Sequence, residues 1–395
     1  MLTHVVARSQ LAGFLRTKLN GSLRCTSQTA LRCRLRFVEF QLISLDEPKY
    51  PLRRSALIAS TAVLSASALG ACAISASSAS RLSPSPKPPL LRPRKLAPGQ
   101  TIGLVAPGGF VDDVTINKSI ANLQSMGFKV KLSPNIRERW GGYAGSVEQR
   151  VHDLHALFLD KAVDAIWAVR GGSGTNALLP FVNYDLIREN PKILIGYSDL
   201  TALLLAINYR TGLVCFHGPV ASSTFSDYSV AYLKSVLMRS ETHKDFTLSG
   251  DHRAGYKVLR AGSASGRLMG GNLSVLAALI GTPYLGPLAG SLLFLEEIAE
   301  APYRIDRHLN QLQQVGLAQC AAVLLGVFVK CDPPDNDPSL TLAEVLSSQL
   351  SSLNIPSAYG YSFGHVAQQI TLPVGVLASF DSVNQSLTLL EAAVI

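Results

Sequence analysis

Lys192-Ile193-Leu194-Ile195-Gly196-Tyr197-Ser198-Asp199-Leu200-Thr201 is the stretch from which the rest of the chain can be read. Its apolar run, closed off by Pro191 and Gly196, predicts a buried strand, and Leu200 to Tyr209 predicts an apolar helix. The turn between them carries a serine. A side chain at the tip of a tight strand-to-helix turn stands clear of the sheet, and the N–H groups that open the helix face whatever it attacks. Ser198 is therefore a candidate nucleophile. The same residues, Ser198 and Asp199, could instead cap the helix, and this stretch alone favours the cap.

Upstream, Thr101 to Ala106 reads as a strand ended by Pro107-Gly108-Gly109, and Ile116 to Met126 as a helix. Lys129 to Leu132 follows as a strand, Val147 to Leu159 as a helix and Val163 to Val169 as a strand. Alternation of this kind predicts an α/β fold, a parallel doubly wound, flavodoxin-like N-terminal domain over residues 96–225, whose ligands gather at the carboxyl ends of the strands. The loop Arg170-Gly171-Gly172-Ser173-Gly174-Thr175 follows one such end. Gly172 to Ala177 fits G-x-G-x-x-A, so a Rossmann-like nucleotide binder is one reading. Bare backbone N–H groups offered to an oxyanion are another, and a plain turn is the third. Glu148, His152 and His155 share one side of the helix and could ligate a metal, but a solvated face explains them better. Cys215 and His217 share a strand face too far apart to pair, so Cys215 is read as core and His217 as either lining the site or solvated.

Residues 226–262 are more polar and read as a linking region with one helix, Val230 to Met238. A smaller, mixed β/α C-terminal domain is expected over 263–395. In it Gly266 to Leu273 reads as a Gly-rich turn opening a helix, and Ser291 to Leu295 as a strand that stops at Glu296-Glu297. A carboxylate there needs a partner, because burying it alone is too costly. A histidine would serve, and so would Arg304 or Arg307 of the next helix. Ala321 to Val329 is a further strand, Leu342 to Leu353 a helix, and Ser357 to Tyr361 a strand leading to His365 on a loop. Val374 to Phe380 and Ser386 to Glu391 close the chain as a hairpin.

The 395 residues carry a formal net charge of +9, but it is unevenly placed. Up to Lys95 there are 15 basic residues against three acids, whereas the remainder has 21 against 24, so nothing in the body points to nucleic acid. Residues 1–95 read as a leader. Arg53-Arg54 before an apolar run that ends in Leu69-Gly70-Ala71-Cys72 has the layout of an export signal, with Cys72 placed to take a lipid and anchor the chain to a membrane. An unprocessed extension is the alternative. Arg81 to Pro98 is expected to be an extended, proline-rich tether. Cys215, Cys320 and Cys331 have no CxxC spacing and read as buried hydrophobes.

With Ser198, Glu296 and His365 in chain order, the sequence resembles the LD-carboxypeptidase family of serine peptidases, the muramoyltetrapeptide carboxypeptidases. The matching stretches run from Pro98-Gly99-Gln100-Thr101-Ile102-Gly103-Leu104-Val105-Ala106-Pro107 through Arg170-Gly171-Gly172, Ile195 to Thr201 and His217-Gly218-Pro219. They continue with Gly270-Gly271-Asn272-Leu273, Leu293 to Glu297, Pro302 to Arg307, Gly364-His365 and Thr371 to Gly375. The resemblance implies a Ser-His-Glu triad of Ser198, His365 and Glu296, with the backbone N–H groups of Asp199 and Gly171 as oxyanion hole and no metal or other cofactor. Glu297 adjoins Glu296, so the acid assignment can slip by one. It also implies a homodimer that removes the terminal D-alanine of a murein tetrapeptide. Relatives of this kind typically act in the cytoplasm, whereas the leader points to the periplasm or cell envelope. A related branch hydrolyses peptidyl-nucleotide antibiotics and holds the base with an aromatic residue in its second half, where this chain has neither Trp140 nor Trp167. Ser173 stands where family members usually have tyrosine.

Overall fold

The computed structural model describes residues 88–253 and 255–395, so the expected export signal and Cys72 lie outside the described residues. The first sheet is built from β1 (Thr101–Val105), β2 (Lys129–Leu132), β3 (Ala165–Ala168), β4 (Ile193–Gly196) and β5 (Cys215–His217). Between them run α1 (Asp113–Ser125), α2 (Val147–Leu159), α3 (Tyr184–Glu189) and α4 (Thr201–Thr211). Local chemistry sets their ends: Asp112 accepts from Thr115 N–H to cap α1, and Ser146 with Gln149 forms a capping box on α2. Gly212, at φ 79°, stops α4. Strands β2, β1, β3, β4 and β5 lie parallel in that order, the flavodoxin-like arrangement the alternation predicts.

The chain continues through α5 (Asp227–Leu237), β6 (Lys244–Phe246), α6 (Gly250–Arg253), β7 (Lys257–Arg260), β8 (Ser263–Asn272) and α7 (Leu273–Ala277). It ends through β9 (Ser291–Ile298), α8 (Pro302–Gln314), β10 (Ala322–Val329), α9 (Leu342–Leu350), β11 (Ser357–Gly364), β12 (Leu372–Val374), β13 (Leu377–Asp381) and β14 (Ser386–Leu389). The second sheet has the order β6-β14-β13-β8-β9-β10-β11-β7, parallel from β8 to β11 and antiparallel at both flanks. The mixed character expected for this half is present.

Several local expectations change. The polar stretch read as a linking region supplies β6 and β7, the two edge strands of the second sheet. Gly266 to Asn272 is not a turn but part of the ten-residue β8. Its glycines serve close approach: a Cβ on Gly270 would lie 1.8 Å from the Phe294 carbonyl oxygen of β9, and one on Gly271 would lie 2.4 Å from Thr201 Oγ1 at the start of α4. Val374 leaves the expected hairpin for β12, which pairs antiparallel with β5, so the chain returns to the first sheet after building most of the second. Residues 90–96 are docked rather than a free tether: Leu91 bridges to Leu213, and Leu96 N–H donates to the Leu237 carbonyl at 2.8 Å. Leu96 itself is buried, and burying a leucine stabilises by about 1.5–3 kcal/mol, enough to hold such a segment down. Cys215, Cys320 and Cys331 are buried free thiols, as their spacing suggested.

Candidate active site

Ser198 leaves the end of β4 with φ 64°, a left-handed conformation rarely held by a residue with a Cβ. A short 3₁₀ turn, Ser198–Leu200, then feeds α4. This is the sharp strand-to-helix corner that exposes a side chain above a sheet. Ser198 does not cap α4 through its side chain, so the cap alternative fails on geometry.

The loop after β3 lies directly against it. A Cβ on Gly171 would sit 3.0 Å from Ser198 Cβ, 3.1 Å from Ser198 Oγ and 3.4 Å from the Asp199 nitrogen, so the loop leaves little more than a hydrogen's room beside the serine side chain. Among the described residues the amides of Gly171 and Asp199 donate to no loop or turn carbonyl and to no side chain. They remain available to a ligand beside the serine hydroxyl.

Asp199 braces this arrangement from behind. Its buried carboxylate accepts from Thr175 N–H at 3.1 Å, and its carbonyl accepts from the Thr175 hydroxyl. Burial raises the Asp199 pKa, and the Thr175 hydrogen bonds pull against that rise. Arg150 locks the same loop, donating to the carbonyls of Pro107 at 2.9 Å and Gly174 at 3.1 Å while its guanidinium lies over the Tyr143 ring. Neither brace was foreseen. The available signal was an arginine on the apolar stripe of α2, three residues from Val147 and four from Leu154, where a charge must find partners.

These bonds also decide against the nucleotide reading. Gly174 opens a 3₁₀ segment, Thr175–Phe181, rather than a regular helix, and the N–H that should meet a phosphate is held by the Asp199 carboxylate.

From the second sheet, β9 continues through the glutamates instead of stopping at them, and successive residues point to opposite faces. Glu296 points towards His365, whose Nδ1 lies 2.8 Å from Glu296 Oε2. Glu297 faces the other way. It accepts from Asn272 Nδ2 at 2.7 Å and from the Ser274 N–H and hydroxyl at 2.8 and 2.6 Å, at the start of α7. Neither glutamate pairs with the following helix, where Arg304 meets Glu300.

Glu296 is completely buried, and its Oε1 has no hydrogen-bond partner. Burial drives its pKa up, while the hydrogen bond and charge of His365 draw it down. His365 follows β11, which runs three residues farther than expected, and its ring packs edge-on against Tyr197 with centroids 4.8 Å apart. Ser198 and His365 line one cavity of about 650 Å³, together with Gly171 and Gly172.

His217 does not line that cavity. It is fully buried against Tyr197 and Phe294, with both ring nitrogens unpartnered, and burial followed by the nearby His365 pushes its pKa down to about 3. It is a neutral core imidazole. The α2 histidines are likewise occupied or exposed: His155 Nε2 accepts from Asn183 N–H, and His152 lies beside Asp153. Among the described residues no three His, Cys, Asp or Glu side chains stand together as metal ligands.

Residues 102–218 match the LD-carboxypeptidase N-terminal domain, and residues 265–380 match the LD-carboxypeptidase C-terminal domain. The chain belongs to the LD-carboxypeptidase family. As an LD-carboxypeptidase it is a peptidase, similar to the "probable murein peptide carboxypeptidase" of Bacillus subtilis, with 36% identity over 303 residues, 76% of this chain and 94% of the relative. The crystal structure of muramoyltetrapeptide carboxypeptidase from Oxalobacter formigenes aligns with a TM-score of 0.65 and 30% identity over 73% of this chain and 98% of that one. The structure of MccF in complex with glutamyl sulfamoyl guanosine aligns with a TM-score of 0.72 and 26% identity over 77% of this chain and all of that one.

The close approach at Gly171 makes a direct prediction for this LD-carboxypeptidase. In Gly171→Ala the new methyl would press on Ser198 Cβ and Oγ and shift them by a few tenths of an ångström, so kcat should fall, by about 10²–10³-fold if this corner is where the reaction takes place. The fold should hold, because Gly171 is only partly buried and its φ is not in the left-handed region. Steady-state kinetics alongside circular dichroism checks both halves of this expectation.

Proposed function

We propose that this chain is a serine carboxypeptidase that hydrolyses the L,D peptide bond to the terminal D-alanine of a murein tetrapeptide, using Ser198, His365 and Glu296. The observation that carries the reading is the 2.8 Å bond between His365 Nδ1 and Glu296 Oε2 at a cavity shared with Ser198. A carboxylate accepting from Nδ1–H leaves Nε2 as the free base, the tautomer a serine nucleophile needs.

Ser198 Oγ attacks the carbonyl of the L-centre as His365 Nε2 takes its proton. The charge that develops on the carbonyl oxygen meets the N–H groups of Gly171 and Asp199. Collapse breaks the C–N bond, His365 returns the proton to the departing amine of D-alanine, and an acyl-serine ester remains. Water attacks that ester with His365 again as base, releasing the tripeptide and restoring the hydroxyl.

The runner-up reading, hydrolysis of a peptidyl nucleotide, is favoured by the likeness to MccF. The cavity lining speaks for the murein peptide. Neither tryptophan is part of it: Trp167 is buried with its indole N–H on the Pro219 carbonyl, and Trp140 is exposed elsewhere. The test is to incubate the purified protein with murein tetrapeptide and, separately, with an aminoacyl sulfamoyl nucleoside. Release of D-alanine with the nucleoside left intact is expected, and the opposite pattern would overturn the reading.

A further inference from the structure

A carboxypeptidase must tell a chain end from a chain interior, and the mark of an end is a free carboxylate. We infer that Arg170 binds the terminal carboxylate of the substrate, with Lys118 adding a second positive charge. The inference rests on the carboxypeptidase reading above.

The charge distribution carries it. From Leu96 onward acids outnumber bases, yet the cavity around Ser198 is lined by Arg170 and Lys118 and by no acid. Besides the His365 imidazole, the rest of the lining is backbone, hydroxyls and small or apolar groups, among them Thr115 and Thr224. A mouth of this composition favours an anion over a neutral or cationic group.

Position selects Arg170 as the principal anchor. It directly precedes Gly171, which packs beside the Ser198 side chain, so its own side chain leaves from the cavity wall next to the serine. The carboxylate of a terminal amino acid is only two bonds from the scissile nitrogen. The guanidinium runs back along the loop after β1: its Nε lies 3.6 Å from where a Gly109 Cβ would stand, and its one hydrogen bond, to the Phe110 carbonyl, is long at 3.4 Å. Most of its five donors are uncommitted, and a planar fork suits a carboxylate. The nearby acid Asp112 has its pKa lowered by the Thr115 hydrogen bonds first and by the Arg170 charge after them, but it caps α1 through the Thr115 N–H at 2.8 Å and forms no ion pair with Arg170. Lys118 reaches the cavity from α1 as a point charge on a flexible stem, which suits a supporting role.

The experiment compares the tetrapeptide with the same peptide carrying a C-terminal carboxamide, on the full-length protein. Wild type is expected to cleave the free acid about 10–100-fold more efficiently in kcat/KM, the range of one charge-assisted hydrogen-bonded pair. Arg170→Gln should lose that preference, chiefly through KM for the acid, while its rate on the carboxamide stays within about 2-fold. Arg170→Lys should recover part of the preference, and Lys118→Gln should weaken it less. A wild type that treats acid and amide alike, or an Arg170→Gln variant that slows both equally, overturns the proposal. If wild type cleaves neither, the reading of the reaction fails and the anchor is judged by binding. N-acetyl-D-alanine should then bind tighter than its amide to wild type and not to Arg170→Gln, and equal binding to wild type removes the anchor.

Discussion

Changing Ser198 to alanine should lower kcat for D-alanine release by about 10⁶-fold, the scale on which serine peptidases lose activity without their nucleophile. Among the described residues the cavity's other hydroxyls, such as Tyr197 and Ser222, do not sit at the positive-φ position of the corner after β4 that Ser198 occupies beside Gly171. His365 and Glu296 would remain in place but have nothing to deprotonate except water, so a residual rate above background from binding and the free amides is expected. Stability should change by only about 0.5 kcal/mol, because alanine and serine are strained alike at φ 64° and the hydroxyl makes no cap bond. A chelator should leave the wild-type rate unchanged, since each step is assigned to a side chain or a backbone amide. Substantial activity in the alanine variant, or its loss on chelation, would place the nucleophile elsewhere.

That corner was legible in the sequence because strand, turn and helix are contiguous there, and each has a local signature. The parallel α/β layering was legible for the same reason, since strand and helix alternate along the chain, whereas the β1–β3 pair joins strands that are not successive and marks the point where the order reverses. What could not be read needed information from distant chain. Alternation says that Glu296 and Glu297 face opposite sides of β9, but only the location of Asn272 and Ser274 says which side is already filled. Glycines in β8 carry the same signature as glycines in a turn, and the difference is the Phe294 backbone pressed against Gly270. His217 looked like a site residue because it ends β5 near Ser198. The aromatic rings that bury it come from Tyr197, in the turn after β4, and from Phe294 in β9, beyond the reach of a local pattern. Residues 90–96 read as tether because they belong to the proline-rich stretch from Arg81 to Pro98, while their docking depends on Leu213 and Leu237 far along the chain.

The acid of the dyad makes the sharpest separate prediction, because function and stability should move in opposite directions. In Glu296→Gln the neutral amide can still accept from His365 Nδ1–H, but it cannot stabilise the imidazolium and no longer enforces one tautomer. Activity should fall by about 10⁴-fold, as when the acid of a serine triad becomes an amide. The folded variant should nevertheless be more stable than wild type at neutral pH. Burial raises the Glu296 pKa, and Oε1 has no partner, so the ionised form is costlier in the folded protein than in the unfolded chain. The sign follows from proton counting. As pH rises through the interval above the ordinary carboxylate value of 4.5, the folded state holds the proton that the unfolded state has released, and wild-type stability declines relative to the variant. The advantage of Glu296→Gln should therefore be absent below that value, grow through the interval and level off once Glu296 is ionised in both states. Chemical denaturation of the two proteins across the pH range reads this directly. A variant less stable than wild type at neutral pH would mean that the His365 bond outweighs the burial of the charge, contrary to the direction argued for Glu296.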